Sequence, residues 1–151
     1  MNTMKKWILL GVLIVATVTG VVVASHLSGS VWGDEVEVDW RLLGELDFVT
    51  GQASSELKAL DGQGVKIPGF MVPLEDEQKM VTEFLLVPSA QACIHVPPPP
   101  PNQMVHVKMK QGTEVLFGPI WIYGKLKLTT TRSIYGESSF EIEGVHVEPY
   151  Q

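Results

Sequence analysis

The sequence predicts a mostly β protein: a small antiparallel β-barrel, OB-fold-like, preceded by one N-terminal membrane helix or signal segment. Three observations carry this expectation. Six short strand-like runs succeed one another with no long helical pattern between them, which suits a closed sheet rather than layered helices and strands. One of these runs keeps its apolar residues on a single parity throughout. The last run changes parity at a glycine, as a bulged, coiled barrel strand does.

At the N-terminus, Lys5 and Lys6 precede an uncharged run of 18 residues from Trp7 to Ala24. That length falls between the core of a signal peptide, about 7 to 15 residues, and a spanning helix, about 20 with a lower limit near 17. Residues 1–24 are therefore read as a membrane anchor or signal segment. Either reading exports the rest of the chain, because the lysines keep the N-terminus in the cytoplasm and acids appear only from Asp34 onward. An uncleaved run makes a single-pass inner-membrane protein with a periplasmic domain; cleavage after Val22-Val23-Ala24 makes a soluble periplasmic one. No cysteine comes after the run at a lipidation position, so a lipoprotein is excluded.

Residues 25–38 form a tether, first Ser- and Gly-rich and then acidic through Asp34, Glu35 and Glu37. The acids read as a solvated segment rather than a cation site, since no loop geometry holds their oxygens. The exported domain is assigned to residues 39–151. Asp39 ahead of Trp40, Leu43 and Leu46 has the pattern of a capped short helix. Phe48 to Ala59 is weakly patterned, and Asp61-Gly62 with Gly64 marks a turn.

Strands are expected at Gly64–Leu74, Met80–Val87, Ala92–Val96, Met104–Lys110, Val115–Leu128 and Ser138–Glu148. In the fifth, Leu116, Ile120, Ile122, Leu126 and Leu128 share one parity and mark a buried face. In the last, Phe140 and Ile142 are even while Val145 and Val147 are odd, so a bulge is expected at Gly144.

Composition narrows the function classes. The chain has 151 residues, 45% hydrophobic and 19% charged, with a net charge of −6. One domain plus an apolar segment fits that balance. An acidic chain lacks the basic face that nucleic-acid binding requires. The single cysteine, Cys93, excludes an internal disulfide and any zinc ribbon or CxxC redox pair.

The most informative stretch runs from Ala92 to His106. On a strand, Cys93 and His95 point to one side, with Ile94 and Val96 to the other. A thiolate and an imidazole on one face are two ligands for a soft divalent ion, with zinc the expected cofactor. His106 in the next strand is the candidate third. If the two strands pair with residue numbers summing to 201, His95 faces His106; a sum of 200 sends His106 to the other side. The plain alternative is a small, buried, inert Cys93 beside a His95 that bonds to backbone.

Pro97, Pro98, Pro99, Pro100 and Pro101 donate no backbone hydrogen bonds and form a polyproline II arm of about 15 Å. Such an arm is either a ligand for an aromatic groove on a partner or a stiff crossover packed on the domain's own Trp121 or Tyr123. Asn102 and Gln103 are expected to tie its end to neighbouring backbone. His26 and His146 read as isolated.

No catalytic activity is expected. Cys93 and His95 would have Cβ atoms about 6.5 to 7 Å apart on a strand, long for a nucleophile–base pair. No nucleophile elbow, phosphate loop or paired-carboxylate site is present in the sequence.

Four motifs are distinctive: Ile67-Pro68-Gly69-Phe70-Met71-Val72-Pro73-Leu74-Glu75, Phe84-Leu85-Leu86-Val87-Pro88, the stretch Ala92 to Gln103, and Gly118-Pro119-Ile120-Trp121-Ile122-Tyr123-Gly124. In these the chain resembles the bacterial domain of unknown function 3299 family, from about Asp39-Trp40 to Tyr150. The resemblance implies an envelope protein, with gene neighbourhoods holding MacB-like ABC permeases and zinc-responsive genes, and no established activity. It strengthens the metal reading of Cys93 and His95. It also supplies the competing expectation, a non-catalytic adapter whose proline arm docks a MacB-like ABC transporter component.

Overall fold

The computed structural model describes residues 34–76, 79–91 and 97–150. The membrane or signal segment, most of the tether, His26 and the Ala92–Val96 strand with Cys93 and His95 lie outside the described residues. Among those described, no helix is long and apolar enough to cross a membrane.

The described chain is mostly strand. Two short helices, α1 (Trp40–Leu43) and α2 (Ser55–Ala59), accompany six strands: β1 (Val36–Glu37), β2 (Gly64–Pro73), β3 (Met80–Val87), β4 (Val105–Glu114), β5 (Pro119–Ser133) and β6 (Gly136–Pro149). Asp39 caps α1 as expected, its carboxylate accepting from the Leu42 amide at 2.8 Å. The weakly patterned stretch contains α2, which Ser54 caps through a 3.2 Å bond from the Leu57 amide. The folded unit begins at Asp34, earlier than Asp39. Val36 and Glu37 pair with Val65 and Lys66, and Val38 is fully buried. Alternating apolar residues among the acids make this end of the tether a strand.

The sheet order is β1-β2-β3-β4-β6-β5, and β2 also pairs with β5. Each strand from β3 to β6 thus has two neighbours and β2 has three, and the pairings of β2 to β6 form a circuit. Five strands cannot all alternate in direction around a circuit, so one neighbouring pair must be parallel. That pair is β4–β6. With the parallel β1–β2 pair, it corrects the all-antiparallel expectation.

Two expected features are present. Ile120, Ile122 and Leu126 of β5 are buried. The strand starts only at Pro119, however, because Gly118 takes a φ of 129° that breaks the run from Val115. In β6 the register slips between Tyr123↔His146 and Gly124↔Gly144. The extra residue, Val145, lets Phe140, Ile142 and Val147 all pack on the same core. A methyl at Gly144 would collide with the Met109 sulfur and come within 3.1 Å of Val107. The bulge therefore needs glycine for packing.

The main core gathers Val65, Ile67, Phe84, Leu86, Val105, Val107, Ile122 and Ile142 with Leu43 and Leu57 from the helices. A second cluster of Leu85, Val87 and Met104, joined by Phe70, Val72, Leu74 and Tyr135, uses the opposite parity on β2 and β3. Phe84 to Val87 is consequently buried on both faces. This second face carries the candidate site.

Candidate functional site

His106 sits in β4 between Val105 and Val107, which both point into the main core. Period two turns its ring to the other face, on the side of Met104. Its cross-strand neighbours are Leu85 on β3 and Glu141 on β6. Both edges of β4 are therefore occupied at His106. The 201 or 200 register involves Ala92–Val96 and so lies outside the described residues.

The ring is 4% exposed. Nε2 lies 3.3 Å from Glu83 Oε2, whereas Nδ1 is buried with no hydrogen-bond partner among the described residues. The sequence alone does not single out Glu83. It shares parity with Leu85 and Val87, which places it on the face of His106, but only the β3–β4 register brings the two together. Glu75 anchors the β3 end of this arrangement, accepting from the Thr82 amide at 2.8 Å, the Thr82 hydroxyl at 2.5 Å and the Glu83 amide at 2.8 Å. Those bonds, the Thr82 hydroxyl foremost, hold its carboxyl below the usual range.

Charged side chains continue the same face across β4, β6 and β5. Lys108 bonds Glu141 at 2.7 Å, and Lys127 lies 3.7 Å from Glu141 while also bonding Glu143. Glu141 is held below the usual carboxylate range, first by the Lys108 bond and then, against its burial, by the charges of Lys108, Lys127 and His106. On the other side the second cluster runs into an open apolar groove of about 240 Å³ lined by Phe70, Val72, Val87 and Phe117. Phe117 is 95% exposed.

The proline arm ends as expected. Asn102 Nδ2 donates to the carbonyls of Leu46 at 2.9 Å and Gly44 at 3.2 Å, and Gln103 Nε2 donates to that of Trp40 at 3.2 Å. These bonds tie the arm to α1 and the chain just after it. Pro97, Pro98 and Pro100 are exposed and Pro99 is half-buried. Pro101 instead opens a 3-10 turn through Gln103, because proline fits the first position of a helical turn. The extended part is therefore shorter than the five prolines. Trp121 packs on Tyr150 with ring centroids 5.0 Å apart, and Lys66 lies 4.7 Å over its ring. His146 is not isolated: it lies 5.6 Å from the Tyr123 ring and 3.6 Å from Glu148. Tyr123 donates to Glu148 at 2.6 Å, which together with burial pushes its phenol up to about 12.

Among the described residues, no three His, Cys, Asp or Glu side chains cluster to hold a metal. Cys93 and His95 lie outside them. His106 is the described member of the expected ligand set.

A small, strand-dominated module with a buried histidine on its outer face and a tethered proline arm is the class that fold and site define. The chain belongs to the family described as Protein of unknown function (DUF3299), which matches residues 48–149. This agrees with the resemblance read from the motifs. A crystal structure of a DUF3299 family protein from Pseudomonas aeruginosa PAO1 is similar to it, with 34% identity and a TM-score of 0.65, covering 79% of this chain and 98% of that one. No curated protein matches the chain.

Proposed function

We propose that this chain is a non-catalytic envelope module of OB-like barrel form that binds a soft divalent metal ion, zinc foremost, through Cys93, His95 and His106. The observation that carries the reading is His106, an almost fully buried ring whose Nδ1 has no partner among the described residues. Leaving such an atom unbonded costs about 1–3 kcal/mol, and a ligand removes that cost. The barrel reading rests on the circuit of pairings with its third and fifth members parallel. OB-like barrels take ligands on the face of their second and third strands, here β3 and β4, where His106 and Glu83 lie. The apolar run Trp7–Ala24 behind Lys5 and Lys6 supports a periplasmic location, either anchored once in the inner membrane or released by signal cleavage. Metal ligation also accounts for a lone thiol in an oxidising compartment. Isothermal titration of the reduced chain with zinc tests the reading. Saturable binding that Cys93→Ser largely abolishes is expected, and no saturable binding would overturn it.

A second reading is favoured by the arm. Pro97, Pro98 and Pro100 are exposed, and Asn102 and Gln103 fix the arm's end. A rigid, exposed polyproline segment binds aromatic grooves at low entropic cost. In this reading the module is an adapter for a MacB-like ABC transporter component. Replacing Pro98 and Pro100 by alanine should then abolish co-purification with that component and leave zinc affinity unchanged.

A further inference from the structure

A cavity of about 170 Å³ lies between α2, the loop before it and the β5–β6 ladder. We propose that it binds a carboxylate carried on a small apolar body, either a free acid of that kind or the C-terminal residue of a peptide. The site is separate from the metal reading and does not depend on it. Its volume is below the roughly 300 Å³ at which pockets begin to enclose drug-sized ligands, so the occupant is small or is the end of a longer molecule. Leu46, Phe48 and Leu128 line it with apolar surface, and Lys58, Thr130 and Ser139 with polar groups. Lys58 is the one charged side chain in the lining, and among the described residues it has no ion-pair partner. Ser139 is 6% exposed, and its hydroxyl has no hydrogen-bond partner among the described residues. That hydroxyl can donate to a ligand without first giving up a bond of its own.

The backbone forms the walls. Between Leu128 and Thr131 the β5–β6 register slips, and the extra residue on β5 bends the ladder at that point. The loop that carries Phe48 is pinned by the Asp47 carboxylate, which accepts from the amides of Val49 at 2.9 Å and Thr50 at 3.1 Å, and by the bridge from Asp47 to Gln52. The Leu128 amide donates to Asp61 at 2.9 Å, and the Leu46 carbonyl accepts from Asn102. With its walls fixed before anything binds, the cavity loses little ordering entropy to a ligand. The charge of the lining then selects the ligand. A single unpaired ammonium matches one negative charge, and a carboxylate accepts at both oxygens from an ammonium and hydroxyls in charge-assisted bonds. A phosphate dianion brings a second charge that the lining does not meet, and it leaves the apolar wall uncovered. A hydrocarbon covers that wall, where Phe48 is 47% exposed, but offers no acceptor to Lys58 or Ser139.

Amide NMR of the full chain titrated with N-acetyl-leucine tests the assignment, with N-acetyl-leucinamide as the uncharged control. The acid should produce saturable shifts at Leu128, Thr130 and Ser139. The amide should bind about ten-fold or more weakly, since the bonds to a charged group are lost. Lys58 is exposed on α2, so Lys58→Met keeps the fold and an unbranched apolar side chain, and should lower the affinity for the acid by a similar factor. Ser139→Ala should lower it several-fold. The peptide acetyl-Gly-Gly-Leu separates the two sources of the carboxylate: affinity equal to or above that of N-acetyl-leucine assigns a peptide C-terminus, a clear loss assigns a free acid, and both support the carboxylate class. Absence of saturable shifts at these residues, equal affinity for acid and amide, or an affinity unchanged in Lys58→Met would overturn the proposal.

Discussion

His106 stands out because its surroundings serve it so unevenly. One ring nitrogen faces a carboxylate and the other has no hydrogen-bond partner among the described residues. If the ring were kept for stability, removing it should be costly. If it is kept for a ligand, His106→Leu should leave the metal-free melting temperature unchanged or raised, because an unsatisfied buried atom is exchanged for an apolar one, and zinc binding should vanish. Differential scanning calorimetry with and without zinc checks both outcomes. Glu141, next to His106 on β6, makes a separate prediction. Its carboxyl is depressed mainly by the bond from Lys108, so its contribution is present above the ordinary carboxylate value of about 4.3 and is lost as pH falls through the lower folded value. Urea midpoints should therefore drop below about pH 4.3, and drop less steeply in Lys108→Met. Equal slopes in the two proteins would remove that bond from the account. None of these partnerships is legible in the sequence. Glu83 and Glu141 read there as ordinary polar positions of alternating strands, and only register turns an alternating acid into a neighbour of a particular histidine.

Strands are legible where their own parity carries the information. Met80–Val87 has its expected limits, and the bulge at Gly144 is announced by the phase change between Ile142 and Val147. Here Gly144→Val should cost about 3 kcal/mol or more, because the added side chain meets Met109, Val107 and Ile122 in a closed core. An unchanged urea midpoint would show that the strand can shift and that the bulge is not fixed. Pairing is less legible, since it is decided between segments far apart in sequence. The parallel β4–β6 contact is required by an odd number of strands once closure is known, yet no single run announces closure. Short elements are lost for a different reason. The two-residue β1 and the five-residue α2 are too brief to display a period, and only Val38 and the Ser54 cap mark them.

For the whole molecule, the mostly β class is carried by the strand patterns and the family by motifs spread from Ile67 to Gly124. The same motifs contain both halves of the functional question, the Cys-x-His pair and the proline arm. The arm's anchorage by Asn102 and Gln103 is readable because amide side chains at the end of a proline run have few local partners and must reach outward. Export rests on the N-terminal run and has its own test. A reporter enzyme active only in the cytoplasm, fused after Gln151, should be silent, and full activity would contradict a periplasmic domain. The central claim is that a buried histidine is left with an open nitrogen because a metal ion completes it. Metal analysis of the native chain purified without chelator tests this most directly. The account predicts about one zinc ion per chain, lost in His106→Leu while the variant stays folded; a metal-free native protein, or zinc retained at the same level without His106, would contradict it.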